Sequence, residues 1–384
     1  MKKILLGTTA LVTAGILAGP ALASDPLKVT VSGNVVTGFY FIDSDNVDGV
    51  SFQDTKVAVV ARNIDIKAEG TLDNGLVAGV DAKLQLDNDW NGTGGSFASF
   101  RQLFGYLEGG FGKFEIGGTD GAAYKMHYTS PWFVPGNGVD SPNIQNGVSS
   151  ANVFGTLYAA PISSTFSLMA TDSNKVSYFT PRLAGFQLGV SYTPDASHHG
   201  PQENGTVVLP KDSNGNSFNN INRVFEVALN YAGTLAGVDV GVDGFYTTGD
   251  STAPGADPEE YGAGLNLGYA GFTLGGAYYK SSDMAGTRLS FAVADASRKT
   301  WTAGLKYATG PWTVGVAYLD SKDSNDSFSF FDDRKTSTWQ VGGGYNIGSG
   351  VDLGLDLQLT KNKVTSGAPT YDSKSAGLVL AIAF

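Results

Sequence analysis

Residues 351–359 read VDLGLDLQL, with Val or Leu at every odd position and Asp, Gly, Asp and Gln at the even ones. A period of two makes a β-strand with one aliphatic and one hydrophilic face. Something apolar must lie against the aliphatic face, and that requirement constrains the whole chain because the pattern recurs from end to end. In LVAGVDAKLQLD (76–87), Leu76, Ala78, Val80, Ala82, Leu84 and Leu86 oppose Val77, Gly79, Asp81, Lys83, Gln85 and Asp87. FEVALNY (225–231), WTAGLKY (301–307), WTVGVAY (312–318) and GLVLAIAF (377–384) alternate in the same way, and helix-period segments are scarce. The chain reads as all-β.

About 16 such runs follow one another from near residue 28 to residue 384. Short connections such as LDNG (72–75), GGFG (109–112), AG (270–271) and IGSG (347–350) alternate with long polar ones such as 43–55, 88–99, 194–222 and 320–335. That parity predicts an antiparallel up-and-down meander with tight turns at one end and long loops at the other. A Greek-key sandwich has no such parity.

Aromatic residues decide what the aliphatic face meets. Tyr231, Tyr269, Tyr307 and Tyr345 end strands that enter short turns, and Phe186, Phe272 and Trp312 begin strands that leave them. All share the parity of the aliphatic residues. Rings at one level bordering an aliphatic band describe the interfacial girdle of a transmembrane barrel. Packing in a soluble sandwich core would account for each ring singly but not for their common level. A barrel of about 16 strands is too wide for side chains to fill, so its lumen holds water. Closure pairs every backbone amide within the lipid. On this reading Leu353 and Leu355 face lipid, whereas Asp352 and Asp356 face a channel.

The N-terminus begins MKK, continues with the apolar ILLGTTALVTAGILAG and reaches Ala21-Leu22-Ala23, the form of a cleavable secretory signal over residues 1–23. The polar Ser24-Asp25-Pro26 follows at once, which argues against a membrane anchor. No later stretch approaches the roughly 20 apolar residues of a spanning helix. The chain has no Cys, so disulfides do not staple it. A formal net charge of −11 argues against nucleic acid as a partner.

Four stretches resemble the general porins of Gram-negative outer membranes, the proteobacterial trimeric kind. They are DIKAEGTLDNGLVAGVDAKLQLD (65–87), RQLFGYLEGGFGKFEIGGTDGAAY (101–124), NKVSYFTPRLAGFQLGVSYTPD (174–195) and the C-terminal AGLVLAIAF ending in Phe384. The resemblance spans nearly all of residues 24–384. It implies a homotrimer of 16-stranded barrels in the outer membrane, in contact with its lipid and lipopolysaccharide. Small hydrophilic solutes and ions would pass by diffusion, and Phe384 would be read by the outer-membrane assembly machinery. It also implies that 119–173 is an inward-folded constriction loop. At roughly 55 residues this is the longest unpaired stretch, and such loops are usually functional. It carries the hydrophobic YTSPWFVPG (128–136), so folding inward would bury Trp132 and Phe133; contact with a neighbouring subunit is the alternative.

By the same resemblance, acidic groups on that loop face basic groups on the wall. The acids are Asp120 and Asp140. The bases are Lys67 and Arg101, at family positions, with Lys83 and Lys113 of lumen parity. The family's second-strand arginine corresponds to Asn63, and Asp65 dilutes the wall further, so a weak preference for cations is expected. A substrate-selective channel for a sugar or an anion, with 16 or 18 strands, is the competing expectation. Tyr40, Phe179, Phe245 and Tyr279 have lumen parity but form no contiguous track. No nucleophile, metalloprotease or P-loop motif is present, so no enzyme activity and no cofactor are expected. His198-His199 lacks a third ligand at metal-site spacing. DSDNVDG (43–49) is similar to a calcium loop but lacks its spacing and distal Glu, which leaves at most weak calcium binding by loop carboxylates.

Overall fold

The structure, a computed structural model, describes residues 27–45, 54–85, 99–141, 164–196, 221–251, 256–284, 292–325, 334–364 and 370–384. Sixteen strands are formed among the described residues. The first five are β1 (Lys28–Ser44), β2 (Thr55–Thr71), β3 (Val77–Gln85), β4 (Ser99–Gly109) and β5 (Gly112–Gly118). A one-turn helix, α1 (Ala122–Lys125), precedes β6 (Asn174–Phe179), β7 (Phe186–Asp195), β8 (Ile221–Leu235), β9 (Val238–Ser251) and β10 (Glu259–Tyr269). The series ends with β11 (Phe272–Met284), β12 (Ala292–Thr309), β13 (Trp312–Asn325), β14 (Arg334–Gly348), β15 (Val351–Val364) and β16 (Tyr371–Ala383).

Each strand pairs antiparallel with its neighbours in the chain, and β16 pairs with β1 to close the ring. The seam is finished by Gly33 and Phe384, whose backbones exchange hydrogen bonds of 2.8 and 3.0 Å. The alternation of short and long connections is as the sequence predicts. Two of the tight turns show why they are tight. Ala236-Gly237 and Ala270-Gly271 hold both central residues at positive φ, near 49° and 82–85°. Two consecutive left-handed residues match the right-handed twist of the flanking strands, and glycine at the second position accepts that geometry without strain.

The faces are inverted relative to a soluble protein. Leu353, Leu355 and Leu357 are 46%, 46% and 38% exposed on the outer surface, whereas Asp356 between them is fully buried. Leu188, Leu265 and Val341 on other strands are likewise exposed on the outside, so the chain itself leaves its aliphatic face uncovered, as a surface turned to hydrocarbon requires.

Aromatic pairs bridge adjacent hairpins at the short-turn end. Phe186 lies against Tyr231, Phe272 against Tyr307 and Trp312 against Tyr345, with ring centroids 4.4–4.9 Å apart. A second tier, which the sequence reading did not anticipate, joins Trp301, Tyr318 and Trp339 at 5.1 and 4.7 Å. Six residues separate the two tiers along β12, β13 and β14, roughly 20 Å of strand, close to the apolar band of about 25 Å on outer-membrane barrels. The proposed signal segment 1–23, His198, His199 and residues 46–49 of the acidic stretch lie outside the described residues.

Candidate functional site in the barrel lumen

The connection 119–173 leaves β5 and re-enters the wall at β6; its described parts, 119–141 and 164–173, lie against lumen-facing strand residues. Its neck is tied by Lys175 on β6, which is 2% exposed. The Lys175 ammonium donates to the carbonyls of Ala170 and Ser173 at 2.6 and 2.9 Å, and to that of Thr119 on the opposite arm. Helix α1 then sits on an apolar seat formed by Phe179, Ala228, Phe245 and Tyr279. The Ala122 amide donates to Ser191 Oγ at 2.9 Å and the Ala123 amide to Glu226 Oε2 at 3.0 Å. Those four seat residues alternate with outward ones on their strands, which is why their lumen parity was legible. Their role, supporting a helix, was not.

Beyond α1 the chain runs round the inside of the barrel. The Tyr128 amide donates to Asp243 Oδ1 on β9 at 2.7 Å, and Thr302 on β12 donates to Ser130 Oγ at 2.9 Å. At the far end Phe133 and Val134 pack with Val36, Tyr40, Ala317 and Val379. Asp356 on β15 fastens the tip: it accepts from Asn137 Nδ2 at 2.6 Å, Gln340 Nε2 at 2.8 Å and Gln358 Nε2 at 3.0 Å. Phe133 is thus buried as its sequence context suggests, but Trp132 is 38% exposed.

His127 joins the two arms of the connection. Its Nδ1 lies 3.0 Å from Asp243 Oδ2 and its Nε2 3.1 Å from Thr165 Oγ1. The order of Thr, His and Asp resembles a nucleophile–base–acid array. Here, however, the Thr165 hydroxyl is also bonded to Asp140, and Thr165 is fully buried. No substrate reaches that oxygen, so the array acts as a tie between loop and wall.

The charged residues singled out in the sequence divide into two groups. Lys67, Lys83, Arg101 and Lys113 do line one sector of the lumen, from β2 to β5. Lys67 Nζ is 2.7 Å from Glu69 Oε2, and Lys113 Nζ is 3.1 Å from Glu115 Oε1. Lys113 also stands 4.3 Å from the centre of the Tyr106 ring. Lys83 is in register with Asp65 on one side and Gln102 on the other. Arg101 has the parity of the outward Leu103, yet it turns inward. Lys83 pairs with Gln102 while Leu84 pairs with Phe100, so Arg101 is the extra residue of a β-bulge. Its Nε then reaches Asp172 Oδ2 at 2.8 Å.

The two acids part company. Asp120 remains beside this sector, accepting from Gln102 Nε2 at 2.9 Å. Asp140 does not face the basic groups. It is fully buried between the two arms, accepting from the Thr165 amide at 2.7 Å and from the hydroxyls of Thr129 and Thr165. Burial pushes its carboxyl above the ordinary carboxylate range, and those hydrogen bonds restrain the rise. Lys125 was not foreseen. It reaches from α1 to Glu115 Oε2 at 2.5 Å, and burial lowers its ammonium while Glu115 opposes the shift. Asp172 was missed as well, because nothing in its local sequence marks it as the acceptor for Arg101. Among the described residues no group of His, Cys, Asp and Glu is arranged to hold a metal ion.

The barrel has counterparts of known structure. The outer-membrane channel DcaP of Acinetobacter baumannii aligns with a TM-score of 0.61 at 13% identity, covering 96% of this chain and all of that one. OmpT of Vibrio cholerae, an outer membrane protein in its trimer form, aligns at 0.58 with 12% identity, covering 94% of this chain and all of that one. At these identities the likeness is one of fold. An uncharacterized protein of Rickettsia conorii is 25% identical over 231 residues, 52% of this chain and 50% of that protein. One from Rickettsia bellii is 28% identical over 120 residues, 28% of each chain. The chain thus spans between about a quarter and a half of the curated relatives it matches. The model of the Gram-negative porin family matches residues 7–365, nearly the whole chain, and with the closed antiparallel barrel it establishes that this protein belongs to that family.

Proposed function

We propose that the protein is a general diffusion channel for small hydrophilic solutes and ions, with a weak preference for cations and its narrowest section beside the loop 119–173. One observation carries this reading. Four cations in or beside the β2–β5 sector are ion-paired close by: Lys67 with Glu69, Arg101 with Asp172 on the adjoining loop, and Lys113 and Lys125 with the one carboxylate of Glu115. Asp65 and Asp81 stand on the same wall. A sector that would otherwise repel cations therefore has little net positive field, while the chain as a whole is acidic.

The competing idea of a sugar-selective channel loses its main requirement. Tyr40, Phe179, Phe245 and Tyr279, the lumen aromatics on which a sugar could stack, are each at most 7% exposed, covered by the inward loop. Reversal potentials across a planar bilayer under a salt gradient test the proposal. A modest cation preference that fades as ionic strength rises is expected, and a clear anion preference would overturn it. Assembly as a homotrimer belongs to the same reading, and a heat-sensitive, slowly migrating band in gel electrophoresis is the expected signature.

A further inference from the structure

Gly makes up 52 of the 384 residues, and their placement inside the barrel is not uniform. From Tyr128 to Pro135 the loop crosses β9 to β15, and on each of these strands it passes over a lumen-facing glycine. At Gly241 on β9 an added Cβ would lie 2.8 Å from the Tyr128 ring. At Gly264 on β10 it would overlap the Tyr128 carbonyl, and at Gly315 on β13 the Phe133 ring. Gly304 on β12 sits 3.3 Å below Ser130 Cβ by the same measure, and at Gly354 on β15 the new carbon would be 2.6 Å from Pro135 Cδ. Glycine weakens a strand interior and often marks close approach of another backbone. Here it recurs on successive strands along the path of a single segment.

We propose that these glycines form a trough that sets the depth at which the loop lies against the wall, and thereby the free width of the pore. The inference rests on the channel reading and deepens it: it makes wall residues that never touch the solute into determinants of what passes. Carbon atoms settle at about 3.5–4.0 Å, so a Cβ at Gly354 pushes the rigid Pro135 ring inward by about 1 Å. Neighbouring positions act on the same segment and reinforce one another.

Single-channel conductance of Gly354→Ala, Gly241→Ala and the double variant tests this. Each single change is expected to remove about a tenth to a fifth of the conductance and the double change more, since current follows the open cross-section. Gly105→Ala and Gly244→Ala, on the outward face with no neighbour closer than 3.7 Å, are expected to conduct as wild type. Unchanged conductance in the double variant would overturn the proposal. Should the alanine variants fail to assemble, a second measurement decides. The hydroxyls of Ser130 and Thr302 are 2.9 Å apart in a chain without cysteine, so Ser130→Cys with Thr302→Cys should cross-link on oxidation. Absence of that disulfide in the folded barrel would show that the loop does not lie in the trough. A wild-type protein that fails to conduct would refute the channel reading itself, an outcome distinct from both.

Discussion

The two halves of the lumen wall are built on opposite principles. From β9 to β15 each strand presents a glycine beneath the loop, and a second layer of chain occupies the space the missing side chains leave. From β2 to β5 the inward positions carry Lys67, Lys83, Arg101 and Lys113, and the side chains themselves reach into the bore. One wall is thickened by backbone and the other by charge. The lesson is that a hydrated lumen has a division of side-chain length, and the alternation that builds the barrel leaves that length free to vary strand by strand.

This contrast can be broken most forcefully at the tip of the loop. Asp356→Ala removes the acceptor shared by Asn137, Gln340 and Gln358, and each orphaned donor costs about 1–3 kcal/mol. Heat unfolding in detergent should start earlier and bilayer recordings should flicker. A variant as stable and as quiet as wild type would detach the loop tip from this wall. A smaller effect separates the walls by charge. Glu115→Gln frees Lys113 and Lys125 into the open sector and should move the permeability ratio toward anions by about twofold. Glu226→Gln, whose carboxylate accepts from the Ala123 amide of α1, should leave it where it was. Equal shifts in both variants would erase the distinction between covered and open sectors.

The smallest effect concerns pH. Burial raises the Asp140 carboxyl, so the docked loop prefers its protonated form. Docking is therefore favoured most below the ordinary carboxylate range and loses that contribution as pH rises through the raised value. His127, bound to Asp243 and Thr165, and the hydroxyl of Thr129 are the polar groups facing this site. Asp140→Asn should flatten the dependence of conductance on pH in that window. A slope identical to wild type would assign the dependence to another group.

The barrel was legible because period-two alternation is imposed by the membrane itself and no other element competes with it. The strand ends were less so. The alternating run WTAGLKY (301–307) is part of a strand extending over Ala292–Thr309, since the ladder continues beyond the lipid where Ser297, Arg298 and Lys299 no longer alternate. The site was legible to the depth that parity allows. Lys67, Lys83 and Lys113 point inward as their spacing requires, whereas Arg101 does so only through a bulge that the letters do not announce. Asp140 could not be located from sequence, because its surroundings come from Thr129 and Thr165 on separate arms of a loop with no periodicity.

The seam between Gly33 and Phe384 has a consequence for how such a molecule comes into being. Lys28–Ser44 finds its second neighbour only in Tyr371–Ala383, at the other end of the strand series. Any shorter fragment exposes two raw hydrogen-bonding edges that hydrocarbon cannot satisfy. Tolerance to deletion should accordingly be low in β16, whose loss opens the ring that it closes against β1.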